Sequence, residues 1–323
     1  MLTIYEVAEK GLAAQEGPRE LNENVVWLDL NDPTAEETLW VEESLSVDVP
    51  TRAEQAEIEV SSRLYKQDGT EVMTATVIYQ VFQPQPAVTT VTFMLTGNRL
   101  ITLRYASPRA FEICVERARY ESAPPRSGIV VLILLLEAII DRTADSIERI
   151  QADVDALSHT IFEIRGQAVS KQRRLDEVLR SVGKQGDLAW RAGDSVHSLG
   201  RLMTFFAYAA NERKVDKLMR TRIRTASRDV SSLSDHVNFL TDKIVFLLDA
   251  VLGMITIEQN NITKIFSIAA VIFLPPTVIA SIYGMNFEHM PELDWFFGYP
   301  FALCLMVICA LGSYIYWKRK GWL

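Results

Sequence analysis

The sequence predicts an α+β domain (a mixed sheet with helices), then a very long helix, then a C-terminal hairpin of two membrane-spanning helices. Three observations carry this. The first 125 or so residues hold short runs rich in β-branched and aromatic side chains. No proline occurs between Pro125 and Pro275, and proline is the residue a helix interior tolerates least. Near the C-terminus, Ile265 to Tyr283 and Trp295 to Trp317 run 19 and 23 residues without a charged side chain. About 20 apolar residues suffice to cross a bilayer as a helix.

The elements follow in order. "VVWLDL" (25–30) reads as a strand, and "NDPTAEETLWVEESL" after it as a helix start, with Thr34 as cap and Glu37 three residues later. "EVMTATVIYQVF" (71–82), "VTTVTFML" (88–95) and "RLITLRY" (99–105) are further strands, the last two joined through the turn Thr96 to Asn98. "IVVLILLLEAII", Ile129 to Ile140, is intensely apolar but too short to span, and it runs straight into "DRTADSIERIQADVDAL". It reads as a buried helix of the soluble part. Beyond it, Ile223, Val230, Val237, Ile244 and Val251 recur every seven residues, and Ala226, Leu233, Leu240, Leu247 and Met254 do so offset by three. This is an a/d seam. No Gly-Pro linker separates it from the first span, so one helix should run from the soluble part into the membrane. At about 1.5 Å per residue, Ile223 to Tyr283 covers roughly 90 Å. The expected divisions are a domain at 1–125, a long-helix stalk at 126–261 and a membrane hairpin at 262–323. Its spans lie at about 263–284 and 295–317, with an outer loop at 285–294 and a basic tail.

Composition narrows the chemistry. The formal net charge of -8 gives no basic face for nucleic acid. Cys114, Cys304 and Cys309 lack metal-ligand spacing, and "MLTIYEVAEKG" shows no cleaved signal. His159, His197, His236 and His289 are scattered, and "VGKQGD" (182–187) lacks the glycine spacing and hydroxyl of a phosphate loop. The expectation is therefore no enzyme, no cofactor and no nucleotide. Lys264 before the first span and Lys318 to Lys320 after the second favour the cytoplasmic side, whereas the loop carries Glu288, Glu292 and Asp294 without Lys or Arg. Both termini should be cytoplasmic. Tyr283, Trp295, Tyr299 and Trp317 fall near the expected water boundaries.

A second heptad stripe lies off the seam. One line reads Asp235, Asp242, Asp249, Thr256, Thr263, Ala270, Thr277 and Gly284; the line offset by four reads Phe239, Phe246, Gly253, Asn260, Ser267, Leu274 and Ser281. Within the membrane this face is small or polar at every position except Leu274. Small residues also permit close helix packing in membranes, but packing leaves the three aspartates seven apart unexplained. Rings of carboxylates concentrate cations at a pore. Two spans cannot enclose a conduit, so a pore requires a cyclic homo-oligomer. Asp242, Asp249, Thr256, Asn260, Thr263, Ser267, Leu274, Thr277 and Ser281 are the candidate pore-lining residues, with Asp249 as an inner-pore metal contact. Pro275 and Pro276 free the carbonyls of Val271 and Ile272, which fits a gating kink or a fixed bend. Gly284, Met285 and Asn286 fall at the outer mouth. There the Asn286 amide can meet a hydrated cation, and Glu288, Glu292 and Asp294 raise the local cation concentration. Magnesium keeps several of its waters when bound, which suits a ring of neutral amides.

"YGMNFEHMPEL" followed by "W…GYP", preceded by "IEQNNITKIFSIAAVIFLPPTVIASI" and ended by "YWKRKGWL", resembles the CorA family of magnesium transporters. The resemblance covers the whole layout, and the Gly-Met-Asn motif is specific to that superfamily. It implies a homopentamer in the inner (plasma) membrane, with five first spans around the pore. It implies passive uptake of Mg²⁺, with Co²⁺ and Ni²⁺ as secondary substrates, and closure when cytosolic Mg²⁺ binds carboxylates between soluble domains. Asn286 becomes the entrance site, and Asn260, Thr263, Leu274 and Thr277 face the pore. The zinc-transporting branch varies the middle motif residue, so Met285 favours magnesium. The alternatives are a zinc transporter of the same superfamily and a non-conducting membrane-anchored scaffold.

Overall fold

A computed structural model of the chain describes residues 1–80, 87–121, 123–163, 168–285, 290 and 295–321. The elements in order are β1 (Leu2–Val7), β2 (Leu12–Glu16), β3 (Val25–Asn31), α1 (Ala35–Leu45), α2 (Arg52–Gln55), α3 (Val60–Arg63), β4 (Leu64–Gln67), β5 (Thr70–Tyr79), β6 (Ala87–Thr96), β7 (Arg99–Arg104), α4 (Ala110–Ala118), α5 (Gly128–Phe162), α6 (Ala168–Glu212), α7 (Lys217–Tyr283) and α8 (Gly298–Arg319). They form two compact units. One comprises 1–162 with 179–248, the other 163–178 with 249–323.

In the first unit the seven strands lie in the order β2-β1-β3-β7-β6-β5-β4, antiparallel except for the parallel pair β3 and β7. The expected strands at 25–30, 88–95 and 99–105 correspond to β3, β6 and β7. The expected strand at 71–82 is β5 up to Tyr79, and its last two residues lie outside the described residues. Alternation sorts the side chains by face. Leu28, Leu30, Val72, Met94, Ile101 and Leu103 pack with Val41 of α1. On the opposite face Trp27 stacks on Tyr5 with ring centroids 4.2 Å apart and meets Phe111 of α4. α1 is held by a complete capping box, Glu37 N–H to Thr34 Oγ1 at 3.2 Å and Thr34 N–H to the Glu37 carboxylate at 2.9 Å.

Buried polar groups on the second face are matched. Arg104 Nη2 donates to Asp29 Oδ2 at 2.7 Å, Thr102 Oγ1 donates to Asp29 Oδ1 at 2.7 Å, and Trp27 Nε1 donates to Thr102 Oγ1 at 2.9 Å. Removing one member would strand a buried charge, which costs far more than an exposed pair. Burial pushes the Tyr5 hydroxyl up to about 12.

The Cys114 thiol lies on the same face and is pushed up to about 12, chiefly by burial. A raised pKa favours the thiol over the reactive thiolate, so in the folded chain Cys114 should resist a maleimide at pH 8 and react only after denaturation. Mass spectrometry before and after denaturation checks this, and labelling of folded Cys114 would contradict its burial.

α5 begins against β7, with Gly128 N–H donating to Asn98 O at 2.7 Å. The apolar run Ile129 to Ile140 is part of this helix, and Leu132, Leu134, Leu135, Ala138 and Ile139 are buried. α6 covers the outer edge of β5 beyond the short β4. Ser198 Oγ accepts from Thr76 N–H at 2.9 Å, while Ser195 Oγ accepts from Ile78 N–H at 3.2 Å and donates to Thr76 O at 3.0 Å. Two serines thus satisfy backbone groups that a further strand would otherwise take.

In the second unit, the apolar window of α7 is 6% buried and that of α8 11% buried. A core helix of a water-soluble protein would bury most of such a surface, so both helices suit a lipid or partner environment. α7 continues through Pro275 and Pro276.

Candidate functional site

The site is built on α7, whose two faces behave differently. In the first unit its a/d seam is closed: Ile223, Ala226, Val230, Val237, Leu240, Ile244 and Leu247 are buried. The partner surface on α6 is a row of glycines. A Cβ added at Gly186, Gly193 or Gly200 would lie 3.7, 3.3 and 3.6 Å from Ile244 Cγ2, Val237 Cγ1 and Val230 Cγ1. Each glycine opposes one a-position, so the two helices run antiparallel at close approach. α5 adds polar links: Arg222 Nε to Glu137 Oε1 at 2.9 Å, His236 Nε2 with Gln151 Oε1 at 2.8 Å, and a Lys243–Asp155 ion pair. The hydrogen bond to Glu137 raises the Arg222 pKa further, keeping the guanidinium charged.

The stripe faces the other way. Asp242, Asp249, Thr256, Asn260, Thr263, Ser267, Leu274, Thr277 and Ser281 are all exposed in the single chain. Neither Asp242 nor Asp249 has an ion-pair partner among the described residues. Three stripe hydroxyls donate to the carbonyl one turn back: Thr256 to Leu252 O at 2.9 Å, Ser267 to Thr263 O at 2.8 Å and Thr277 to Phe273 O at 2.8 Å. With its proton so engaged, each oxygen presents only lone pairs outward. Such oxygens can face a cation or its water shell.

At the outer end, Gly284 N–H donates to Ala280 O at 3.0 Å and Met285 N–H to Ile282 O at 3.2 Å, closing the helix. Both residues are exposed. Asn286, Glu288, Glu292 and Asp294 lie outside the described residues. Among the described residues no group of three or more His, Cys, Asp or Glu side chains could hold a metal ion. Among those residues one chain therefore presents a line of oxygen atoms and no cage.

The sequence model described as "CorA-like Mg2+ transporter protein" matches residues 22–319. The magnesium transport protein CorA of Escherichia coli (strain K12) is 36% identical over 300 residues, which cover 93% of this chain and 92% of that protein. The chain belongs to the CorA-like Mg²⁺ transporter family. The fold agrees with that of a CorA magnesium transporter from Methanocaldococcus jannaschii, with a TM-score of 0.76 at 17% identity, over 100% of this chain and 99% of the other. The cytoplasmic domain of ZntB from Vibrio parahaemolyticus matches with a TM-score of 0.57 at 12% identity, over 78% of this chain and 96% of its own.

Two features of this CorA-family chain escaped the reading of its sequence. The glycines of α6 recur every seven residues, a signal visible once that segment is written in heptads. Asp29 and Arg104 stand 75 residues apart, and only the parallel pairing of β3 with β7 brings them together.

Proposed function

We propose that this chain is a passive Mg²⁺ channel, a cyclic homopentamer in which the stripe of α7 from each copy lines one central conduit. The observation that carries this reading is the stripe itself: aspartates with no ion-pair partner among the described residues, Asp242 and Asp249, are followed along one line of the helix by hydroxyls whose protons are engaged and whose lone pairs point outward. The 36% identity to a magnesium transport protein supports the choice of ion. Asn286 holds the hydrated ion at the entrance, Glu288, Glu292 and Asp294 gather cations outside, and Asp249 meets them in the inner pore. Both termini lie in the cytoplasm. Co²⁺ and Ni²⁺ follow the same route, and cytosolic Mg²⁺ closes it. The membrane potential supplies about 2.3 kcal/mol per charge per 100 mV, so roughly twice that for a divalent ion. Inward flow needs no nucleotide.

Purified chain in liposomes with Mg²⁺ and Zn²⁺ indicators, run side by side under an imposed potential, tests this. Mg²⁺ flux that rises with the potential is the expected result. Zn²⁺ flux outcompeting Mg²⁺ would point to a zinc transporter, and no flux of either ion to a scaffold.

A further inference from the structure

The first turns of α7 carry a charge cluster that ion conduction does not use. Lys217, Arg220, Arg224 and Arg228 are exposed and fall within about 80° of one another around the helix at 3.6 residues per turn. Lys217, Arg224 and Arg228 have no acidic partner among the described residues. Neighbouring cations are engaged inside the fold. Arg213 pairs with Glu71, and Arg222 pairs with Glu137 and Glu121. Arg220 is fixed by its Nε–H to Val215 O at 3.0 Å, which leaves its terminal nitrogens without a protein acceptor among the described residues. In a chain of net charge -8, such a local concentration of cations attracts anions.

A cleft of about 400 Å³ opens beside it between the end of α6 and the start of α7, lined by Tyr208, Asn211, Arg220, Arg224 and Ser227. That volume suits a small organic ligand. Guanidinium forks match phosphate oxygens. The exposed Tyr208 ring offers a face on which a base can stack. Two carboxylates near the cleft make contacts of their own. Glu212 accepts from Tyr208 Oη at 2.9 Å and pairs with Lys66 at 2.9 Å, and Asp216 Oδ1 accepts from Met219 N–H at 2.7 Å.

We propose that this cleft binds a nucleoside triphosphate in its magnesium-free form, the phosphates on Arg220 and Arg224 and the base against Tyr208. A triphosphate without magnesium carries more negative charge than its magnesium complex, so unpaired cations select it. Its occupancy rises when magnesium is scarce, on the helix that also carries the polar stripe. The missing glycine-rich loop argues only against a backbone cradle; here side chains supply the contacts. The binding does not depend on the channel reading.

The test is calorimetric titration of ATP into the full chain in detergent, in EDTA and then in excess Mg²⁺. Saturable binding is expected in EDTA, weaker by about tenfold or more with Mg²⁺ and by a similar factor in Arg224→Glu. Arg224 has no partner among the described residues, so that variant should keep its fold, and Arg224→Lys, which keeps the charge and loses the fork, should bind more weakly than the unaltered chain and more tightly than Arg224→Glu. Tyr208→Ala should weaken ATP but not tripolyphosphate. The proposal is overturned by absent saturation, by unchanged affinity in Arg224→Glu, by tripolyphosphate binding as tightly as ATP, or by a single-stranded RNA oligonucleotide binding more tightly than either.

Discussion

Replacing Asn286 with alanine is expected to abolish Mg²⁺ uptake into proteoliposomes while the chain still assembles and inserts. In the proposed channel the amide oxygen is what the entrance offers to a hydrated ion, and magnesium keeps several of its waters when bound. A single hydrogen bond of this kind contributes about 0.5–1.5 kcal/mol net. The substitution removes one from every copy around the mouth, so the losses compound to several kcal/mol, or roughly a hundredfold or more in rate. Flux of the alanine variant, with its assembly checked by size-exclusion chromatography, decides the matter. A rate near that of the unaltered chain would remove Asn286 from the entrance.

Gly128→Ala should be the most damaging small change in the soluble fold. A Cβ at this position would lie 2.3 Å from both the Arg99 carbonyl carbon and the Leu100 nitrogen, which are backbone atoms of a central strand. Neither can swing aside as a flexible side chain would. Overpacking typically costs about 1–3 kcal/mol and occasionally more, and a clash with a fixed strand belongs at the upper end. A loss of about 3 kcal/mol corresponds to a fall in Tm of roughly 10 °C for a unit of this size. Gly183→Ala is the control, since nothing lies within 4 Å of its added methyl and alanine favours the helix. Thermal unfolding of both full-length variants should separate them clearly. Equal melting temperatures would mean that α5 can shift away from β7.

Much of this architecture is legible in the sequence. The Thr34 and Glu37 pair announced α1 because a capping box is a local device of four residues. The seam from Ile223 to Val251 announced α7 because a heptad sustained that long has few other uses. The stripe could be read for the same reason, since it recurs with the same period on another line of the helix. β1, β2 and β4 were not anticipated. β2 buries only Leu12 and is made a strand by pairing with β1, which its own side chains do not advertise. Asp29 sits in an otherwise apolar strand, and its partner Arg104 arrives only through tertiary pairing. The division of the cations near residue 220 into engaged and unengaged ones likewise depends on where Glu71, Glu121 and Glu137 come to lie.

Thiol accessibility along α7 bears most directly on the claim that identical copies turn their polar edge to a common axis. Cysteines are placed singly at Thr256, Thr263 and Thr277 on the stripe, and at Ile265 away from it, in a chain carrying Cys304→Ser and Cys309→Ser with Cys114 left in its buried position. A hydrophilic methanethiosulfonate should modify the three stripe positions during transport and stop Mg²⁺ flux, while Ile265→Cys stays unmodified and conducting. Modification at Ile265→Cys with an inert stripe would place the polar edge against lipid and contradict the account.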